Sequence, residues 1–449
     1  MLQGSSQRAG SADAEASKAI AATMFSLCSL MTLEVIAMGL KAGLALSPML
    51  DAINGSSGRS QFSAQRLAVL AGQNAGFEEP LLSELSDGVR SAIQLSERHH
   101  VSLPLAAIAS GLLTACTNQF GVDARLGSLL AQVASMAGLG MDAYERAPHS
   151  VLPEDTTSTR KPRIGYVGLG AMGSALARRA RTAADRLLVF DVVRERMDEQ
   201  VQEGAVAAAD MASLARESDV IMLCVPTSEH VKQILLGEDG MLRGLAPGKV
   251  VIDQTTGSPS DARALSQTLN QMGVGFVDAP VAGGPGSADN GTLLALCGGS
   301  EEDYAKVYGL LQTMGRSIYF GPTGSGQTAK LVKNATGACN RFICYESIAL
   351  AQRMGISLPD LLEQTKGTDA WTAAIQRIAD AERIGVPTAI ITSRLFYKDL
   401  RLVSELAASF GAPMFIANAV RNRVEALIKE IGPDSNIDEL GRAYGLSRK

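Results

Sequence analysis

Two kinds of hydrophobic pattern divide the chain. Between residues 18 and 141 apolar side chains recur at intervals of three and four, which predicts a helical region without strands. From residue 163 to about residue 325, short apolar runs alternate with helical stretches, which is typical of a parallel, doubly wound sheet. The helical pattern then returns from residue 326 to residue 449. The predicted architecture is therefore an α/β domain flanked by two all-α domains.

The apolar runs of the middle region predict seven strands. They cover residues 164–167, 187–191, 220–225, 250–253, 275–278, 293–297 and 317–320. Helical patterns over 174–181, 228–236 and 260–272 separate several of these runs. We expect the last two runs to complete the same parallel sheet.

Two polar segments lie outside these patterns. Residues 1–17 are small and polar and predict a disordered tail. Residues 146–162 are rich in Pro, Ser, Thr and charge, which predicts a linker. The predicted domains are thus a helical domain at 18–145, the sheet domain at 163–325 and a second helical domain at 326–449.

Composition narrows the class of protein. A length of 449 residues suggests two or three domains. The net charge of −5, without a long basic run, argues against a nucleic-acid partner. The six cysteines are scattered without metal-like spacing, which predicts reduced, buried thiols in a cytoplasmic protein that holds no metal. The uncharged stretch 101–122 contains Pro104 and several polar residues, so it predicts a buried helix and not a membrane span.

A glycine motif follows the first predicted strand. Gly168, Gly170 and Gly173 have the G-x-G-x-x-G spacing of a dinucleotide-binding turn. The first glycine permits the tight turn, the second lets backbone approach a pyrophosphate, and the third lets helix and strand pack closely. Ala171 and Met172 add N–H groups of the helix start, which favour an anion. The motif predicts a Rossmann fold with a nicotinamide or flavin cofactor; a bland glycine turn or another nucleotide-type ligand is the alternative.

An acidic residue follows at the distance that NAD binding requires. Asp191 ends the second predicted strand, 18 residues after Gly173. An acid about 20 residues beyond the motif binds the ribose hydroxyls of NAD. A carboxylate there repels the 2′-phosphate of NADP, but Arg194 and Arg196 are close enough in sequence that NADP stays an alternative.

Two further stretches contain residues suited to chemistry. Gly283 and Gly284 lie in the glycine-dense segment 278–286, where bare backbone N–H groups suit a carboxylate; an ordinary sheet-edge loop is the alternative. Lys330 and Asn334 are four apart on a predicted helix and share one face. A lysine there can exchange a substrate hydroxyl proton, and the asparagine can hydrogen-bond the same oxygen. Most lysines on helices are solvated surface charges, which is what we expect of Lys333.

The two helical regions resemble each other in sequence. At one constant offset of 312 positions, residues of the first region recur in the second. The pairs are Lys18/Lys330, Glu34/Glu346, Gly43/Gly355, Ile36/Ile348, Ala37/Ala349, Leu46/Leu358 and Leu50/Leu362. Helical periodicity places apolar residues but would not also place Lys, Glu and Gly. We therefore predict a domain duplication.

Residues 163 to about 445 resemble the β-hydroxyacid dehydrogenases, the family of 3-hydroxyisobutyrate dehydrogenase and tartronate semialdehyde reductase. The matching motifs are GYVGLGAMG, the Asp-x-Thr-Thr-x-Ser-Pro stretch from Asp253, DAPVAGG with the later Gly291-Thr-Leu, the G-x-G-x-x-x-K run ending at Lys330, and Phe396-Tyr-Lys-Asp-Leu400. The first helical region resembles the same family's helical domain, which is also that of the C-terminal part of 6-phosphogluconate dehydrogenase.

The resemblance implies an NAD-dependent enzyme that moves a hydride between nicotinamide and a short 3-hydroxy acid, such as 3-hydroxyisobutyrate, glycerate or threonate. It implies that Lys330 is the catalytic acid/base with Asn334 beside it. The expected substrate residues are Ala282, Gly283, Gly284 and Thr256. The expected cofactor residues, besides those of the glycine motif and Asp191, are Val225, Pro226, Thr256 and Lys398, the last closing over the site. A glyoxylate or succinic semialdehyde reductase is one alternative, and a non-catalytic NAD-binding scaffold is another.

The sequence departs from the family pattern at three places. Ala282 stands where the family usually has Ser, so a hydroxyl contact to the substrate carboxylate is missing. Lys333 stands where the family usually has the first of two adjacent Asn. In the first helical copy Ala22 replaces the equivalent of Asn334, and no Lys-Asp pair follows, so we expect that copy to be inactive.

In this family the helical domains of two subunits pack together. We therefore expect the first helical copy to supply that partner surface within one chain, as an internal pseudo-dimer in a monomer; a homodimer is the alternative. The loss of an upstream Rossmann domain, which would leave a truncated double enzyme, is a further alternative for the origin of this arrangement.

Overall fold

The computed structural model describes residues 3–67, 79–149 and 161–446, with side chains from residue 15 onward. Much of the predicted linker, residues 150–160, lies outside the described residues. The chain forms two compact units. The helical unit consists of Met1–Lys41, Met49–Arg146 and Val332–Lys449, and the sheet unit consists of Ala42–Pro48 and Ala147–Leu331.

The first helical copy follows the apolar periodicity of the sequence. Its described α-helices are α1 (Gln3–Lys41), α2 (Leu46–Asn54), α3 (Leu82–Arg98), α4 (Pro104–Phe120) and α5 (Leu126–Met136), with a π-helical turn at Phe62–Arg66 and a 3-10 turn at Met141–Glu145. Pro104 stands in the first turn of α4, where a missing N–H leaves no hydrogen bond unmade. The uncharged stretch thus forms a helix over Pro104–Phe120, as predicted, but only one face of it is buried, and Phe120 and Val122 are exposed.

Helix α1 corrects the prediction of a disordered tail, because the chain is helical from Gln3 onward. The segment is rich in alanine, the strongest helix former, and the buried part that begins at Ala16 provides a nucleus from which the helix extends. Among the described residues, Glu15–Lys41 is one helix long and apolar enough to cross a membrane. However, 89% of its apolar window is buried inside the protein, which is typical of a core helix.

The sheet unit is built on six parallel strands in the order β3-β2-β1-β4-β5-β6. They are β1 (Arg163–Val167), β2 (Arg186–Phe190), β3 (Val206–Ala207), β4 (Val220–Leu223), β5 (Val250–Asp253) and β6 (Gly275–Asp278). The connecting helices are α6 (Ala171–Ala183), α7 (Arg194–Gln202), α8 (Met211–Glu217), α9 (Ser228–Leu236) and α10 (Pro259–Asn270). The strand order reverses between β1 and β4, and ligands of such sheets bind beyond the carboxyl ends of strands at this point.

The last two predicted strands do not complete this sheet, so that prediction is wrong. Strand β8 (Leu293–Cys297) pairs antiparallel with β7 (Val281–Ala282) and parallel with β9 (Gly315–Tyr319), forming a separate three-stranded sheet. Helices α11 (Pro285–Asp289) and α12 (Glu301–Met314) connect these strands. An apolar run indicates a buried strand but not the strand with which it pairs.

The second helical copy repeats the turns of the first. Its helices are α13 (Ser325–Arg353), α14 (Leu358–Thr365), α15 (Ala373–Ile384), α16 (Ser393–Phe410) and α17 (Phe415–Ile431), with a 3-10 segment at Ile437–Tyr444. Gly43 and Gly355 end the first helix of each copy with positive φ angles of 96° and 81°. Further along the chain, equivalent residues of the two copies are 311 positions apart. The isolated β-bridge between Leu81 and Arg125 recurs between Thr392 and Asn436. The first copy is therefore one residue longer between these points.

The two copies bind each other reciprocally through two buried glutamates. Glu34 of the first copy accepts a hydrogen bond from the N–H of Ile416, at the start of α17, at 3.1 Å. Glu346 of the second copy accepts from the N–H of Leu105, at the start of α4, at 3.1 and 3.2 Å. The glutamates are 312 positions apart and the two donors 311 apart, so the contacts are equivalent. Such an exchange is the signature of an approximate twofold axis.

Candidate active site

The glycine loop has the geometry that a dinucleotide requires. Gly168 has a φ of +92°, and a Cβ there would lie 2.3 Å from the carbonyl oxygen of Cys224. A Cβ on Gly173 would lie 1.8 Å from the carbonyl oxygen of Gly168, so helix α6 can pack this closely only on a glycine. Gly170, by contrast, faces open space with no atom within 4 Å of its Cβ position. Ala171 and Met172 begin α6 directly after it, so a pyrophosphate fits at this helix start.

The carboxylate of Asp191 holds the glycine loop in place. Its Oδ2 accepts from the N–H of Leu169 at 2.6 Å, and its Oδ1 accepts from the N–H of Val193 at 2.8 Å. Arg196 lies 3.5 Å from Oδ1. An ionised carboxylate has about four acceptor positions, so it can still accept from ribose hydroxyls. The structure thus gives this residue a loop-positioning role that its spacing alone did not reveal.

Lys330 lies buried against the second glycine-rich loop. It is 8% exposed, and its Nζ donates to the carbonyl oxygen of Val281 at 2.7 Å. Val281 precedes Ala282 on strand β7, and Gly283 follows with a φ of +129°. Gly284 has no atom within 4 Å of its Cβ position. The sheet unit therefore brings the predicted acid/base and the predicted carboxylate loop together.

Two residues not predicted for the site hold the start of α13. Asp278 accepts from the N–H groups of Gly324 and Gln327 at 2.8 and 2.7 Å, and burial raises its pKa to about 8 against the lowering effect of these donors. The Gln327 side chain donates to Thr255 O at 2.7 Å and accepts from Gly257 N at 2.8 Å. These bonds flank Thr256 and fix its backbone. Gln327 lies inside the G-x-G-x-x-x-K motif, which is the signal that could have identified it.

The helical unit contains two more of the predicted site residues, Asn334 and Lys398, and Asp399 contacts both of them. Asn334 Nδ2 donates to Asp399 Oδ2 at 2.7 Å, and Lys398 Nζ lies 3.3 Å from Asp399 Oδ1. Asp399 was not predicted as a site residue, although it stands in the Phe-Tyr-Lys-Asp-Leu motif. Lys333 is 9% exposed and donates to Asn334 Oδ1 at 3.2 Å, so the prediction that it is a solvated surface lysine is wrong.

The remaining predicted cofactor residues follow β4 and β5. The N–H of Val225 donates to Thr255 Oγ1 at 3.2 Å, which ties the Val225–Pro226 turn to the loop that carries Thr256. No group of three or more potential metal ligands occurs among the residues that the structure describes. All six cysteines are free thiols, and five of them are buried.

The glycine loop and the parallel sheet are those of a Rossmann domain that binds NAD(P). Comparison with protein families assigns it further. The NAD binding domain of 6-phosphogluconate dehydrogenase matches residues 163–321. The NAD-binding domain of NADP-dependent 3-hydroxyisobutyrate dehydrogenase matches twice, at residues 12–132 and 324–444. The chain therefore belongs to the β-hydroxyacid dehydrogenase family.

Individual relatives agree with this assignment. A probable mitochondrial 3-hydroxyisobutyrate dehydrogenase of Dictyostelium discoideum is 31% identical over 61% of this chain and 87% of its own length. A NAD-dependent L-serine dehydrogenase of Pseudomonas aeruginosa is 30% identical over 60% of this chain and 93% of its own. The solved 3-hydroxyisobutyrate dehydrogenase of Mycobacterium tuberculosis has the same fold, with a TM-score of 0.59 at 23% identity over 63% of this chain and 99% of its own.

These findings confirm the predicted fold class, the enzyme class and the use of NAD(P). Because the chain belongs to an enzyme class, the non-catalytic scaffold alternative is not retained.

Proposed function

We propose that this enzyme oxidises a short 3-hydroxy acid reversibly to the semialdehyde or keto acid. The observation that carries the proposal is the burial of Lys330 beside the loop of Gly283 and Gly284, with its Nζ 2.7 Å from Val281 O. The names of the relatives, 3-hydroxyisobutyrate and L-serine dehydrogenases, support the same substrate class.

Each proposed role follows from the chemistry of the side chain. Lys330 accepts the proton of the substrate hydroxyl as the carbinol carbon is oxidised, and returns it in the reverse direction. Asn334 hydrogen-bonds the same oxygen, and the N–H groups of Gly283 and Gly284 hold the substrate carboxylate. The bound cofactor supplies the hydride acceptor at its nicotinamide ring. Lys398 closes over the site and Thr256 lies near the nicotinamide, as the resemblance to the family implies.

The proposed cofactor is NAD in preference to NADP. Asp191 is buried at the end of β2 with a carboxylate that repels a 2′-phosphate and accepts from ribose hydroxyls. Arg196 is already engaged with that carboxylate at 3.5 Å. The comparison of kcat/KM for the two cofactors tests this assignment, and a preference for NADP would contradict it.

The experiment that tests the function is the Lys330→Ala variant. We expect turnover to fall about 10²–10⁴-fold while NADH fluorescence still reports cofactor binding. The matched control is Lys306→Ala, which removes an exposed lysine of the same unit. The substrate panel is 3-hydroxyisobutyrate, glycerate, threonate and L-serine, with glyoxylate and succinic semialdehyde in the reverse direction. Retained turnover by the Lys330→Ala variant would contradict the role of the lysine.

We propose also that residues 18–145 are a degenerate helical domain that replaces a second subunit, leaving 326–449 as the catalytic helical domain. Two contacts support an internal pseudo-dimer, because each joins a residue to its own equivalent 312 positions later. Cys28 Sγ lies 3.4 Å from Asn340 Oδ1, and Ser60 forms an antiparallel bridge with Thr372. Only residues on a twofold axis meet their own equivalents.

The size of the protein in solution tests the pseudo-dimer. We expect light scattering to give the mass of one chain, 47.0 kDa, across a range of concentrations. A stable particle of twice this mass, formed through the second helical copy, would contradict the proposal.

The six free thiols support a reducing compartment, and we propose on that ground that the enzyme is cytoplasmic.

A further inference from the structure

An ion pair joins the two helical copies on one side of their approximate twofold axis. Arg66 of the first copy donates two hydrogen bonds to the carboxylate of Asp369 in the second copy, at 2.7 and 3.1 Å. The two side chains are 24% and 29% exposed, so solvent reaches the pair only in part. Such a two-pronged contact is the geometry in which an arginine binds a carboxylate most strongly. A twofold axis predicts an equivalent pair on its other side.

The equivalent of Arg66 in the second copy is Arg377. Equivalent residues are 312 positions apart at the bridge between Ser60 and Thr372, and 311 apart further along the chain. The π-helical turn that ends at Arg66 accounts for the change, because its hydrogen bonds span one residue more than those of an α-helix. The sequence agrees with this alignment, since a glutamine precedes both arginines.

The equivalent of Asp369 is Ser57, so the second pair has no carboxylate. Ser57 lies against helix α13, where a Cβ on Gly337 would lie 2.9 Å from the Ser57 Oγ. Within the described part of the chain, Arg377 forms no ion pair. Its side chain is accessible from solution, while partial burial and then the charge of Arg341 lower its pKa. Both effects oppose the guanidinium charge, and a bound anion offsets them.

We propose that Arg377 and Ser57 form a binding site for a small organic acid, whose carboxylate takes the place that Asp369 has beside Arg66. The class of ligand follows from the equivalent pair, in which the chain itself supplies a carboxylate. The guanidinium group donates to the acid, and the shorter serine leaves room for it and adds a hydroxyl donor. Because the serine belongs to the first copy and the arginine to the second, a bound acid joins the two copies. The site lies wholly within the helical unit, and the inference goes beyond the proposed function.

Acetate tests the site, with acetamide as its uncharged counterpart, by thermal unfolding at constant ionic strength. We expect acetate to raise the melting temperature of the wild type by about 1–3 °C and to saturate, and acetamide to have no such effect. Arg377→Gln removes the saturable response. The matched control is Arg383→Gln, which changes an exposed arginine of the same helix α15 and keeps the response. A response that survives Arg377→Gln, or a wild type that responds equally to acetate and acetamide, overturns the proposal.

Exchanging the acidic and neutral residues of the two pairs tests their equivalence. In Ser57→Asp the chain supplies the missing carboxylate, so we expect the melting temperature to rise by about 1–2 °C and the acetate response to disappear. Ser57→Asn is the uncharged control and retains most of the response. Asp369→Ser opens the equivalent site at Arg66, so its melting temperature falls and its response to acetate exceeds that of the wild type. A Ser57→Asp variant that still responds to acetate as the wild type does overturns the proposal. None of these measurements involves turnover, so their outcome is separate from the test of Lys330.

Discussion

A Cβ placed on Gly88 would lie 2.4 Å from the Cβ of Ala22, so helices α1 and α3 approach each other there at the limit of packing. By the offsets of the duplication, Ala22 corresponds to Asn334 and Gly88 to Asp399. In the second copy these positions hold a hydrogen bond of 2.7 Å between two polar side chains. In the first copy the same space is closed by direct contact of the helices. The first copy has therefore exchanged its polar pair for close packing.

We expect Gly88→Ala to destabilise the protein, because the added methyl group must push two packed helices apart. A loss of about 1–3 kcal/mol in the free energy of unfolding is typical of such overpacking. Gly111→Ala is the control: Gly111 lies inside α4 with open space around its Cβ position, so alanine there adds up to about 1 kcal/mol of helix propensity. Urea denaturation measures both. Combining Gly88→Ala with Ala22→Gly should recover much of the loss, and equal stability of the two single variants would contradict the close contact.

The reciprocal glutamates predict a pH dependence of stability. Burial raises the pKa of Glu34 and of Glu346 from the ordinary 4.5 to about 8, although helix N–H groups oppose the shift. The folded protein therefore binds more protons than the unfolded chain between these values. Its free energy of unfolding therefore falls by at most about 5 kcal/mol per glutamate as the pH rises from about 4.5 to about 8. Above this range these two groups no longer change the stability.

The double variant Glu34→Gln, Glu346→Gln removes both titrating groups while each glutamine keeps a carbonyl acceptor for the helix N–H. We expect its stability to change less than that of the wild type across this pH window, as measured by chemical denaturation at each pH. Asp87→Asn, an exposed carboxylate of α3, serves as the control for general charge effects. A wild type whose stability is constant between pH 5 and pH 8 would contradict the prediction.

Local patterns in the sequence were sufficient for the glycine loop, since its three glycines and their strand and helix are contiguous. The recurrence of Lys, Glu and Gly at one offset predicts the duplication, and the match of one family model to both helical regions is compatible with it. The pairing of β8 with β7 and β9 could not be predicted, because burial of a strand does not specify its neighbour. The burial of Lys333 was likewise not predicted, and its neighbour Asn334 is bonded to Asp399 of α16, 65 positions later. Gln327 and Asp399 act through contacts that exist only in the folded chain.

The side chain of Gln327 connects the loop of Thr256 to the start of α13, so we expect its removal to affect both. In Gln327→Ala the Thr255 carbonyl and the Gly257 N–H both lose a buried partner, which costs about 1–3 kcal/mol for each unsatisfied group. We expect a lower melting temperature and a fall of about 10-fold in kcat/KM. Gln327→Glu keeps an acceptor for Gly257 but cannot donate to Thr255, so it should be intermediate. An alanine variant with normal kinetics and stability would contradict this coupling.

Because Asp399 accepts a hydrogen bond from the amide of Asn334, we expect the orientation of Asn334 to limit turnover. The carboxylate fixes Nδ2 of Asn334, so Asp399→Ala frees the amide to rotate. We expect kcat to fall about 10-fold to 100-fold, because the amide loses the acceptor that orients it. A change in KM for the cofactor would report the separate ion pair of Asp399 with Lys398. Asp399→Asn retains an acceptor oxygen and should restore part of kcat. Asp434→Asn, which removes an exposed carboxylate of the same unit, is the control. A change in cofactor KM with constant kcat would contradict the positioning role.

We expect that a serine at position 282 restores a hydroxyl group to the loop of Gly283 and Gly284, which is proposed to hold the substrate carboxylate. The side chain is buried on β7, directly before Gly283, where the family usually has Ser. In Ala282→Ser the added hydroxyl can donate to the substrate carboxylate, and one such bond contributes about 1 kcal/mol. We expect KM for a 3-hydroxy acid to fall about threefold to tenfold with little change in KM for NAD. Ala264→Ser, on the exposed face of α10, is the control. If Ala282→Ser raises the substrate KM, the loop does not hold the carboxylate as proposed.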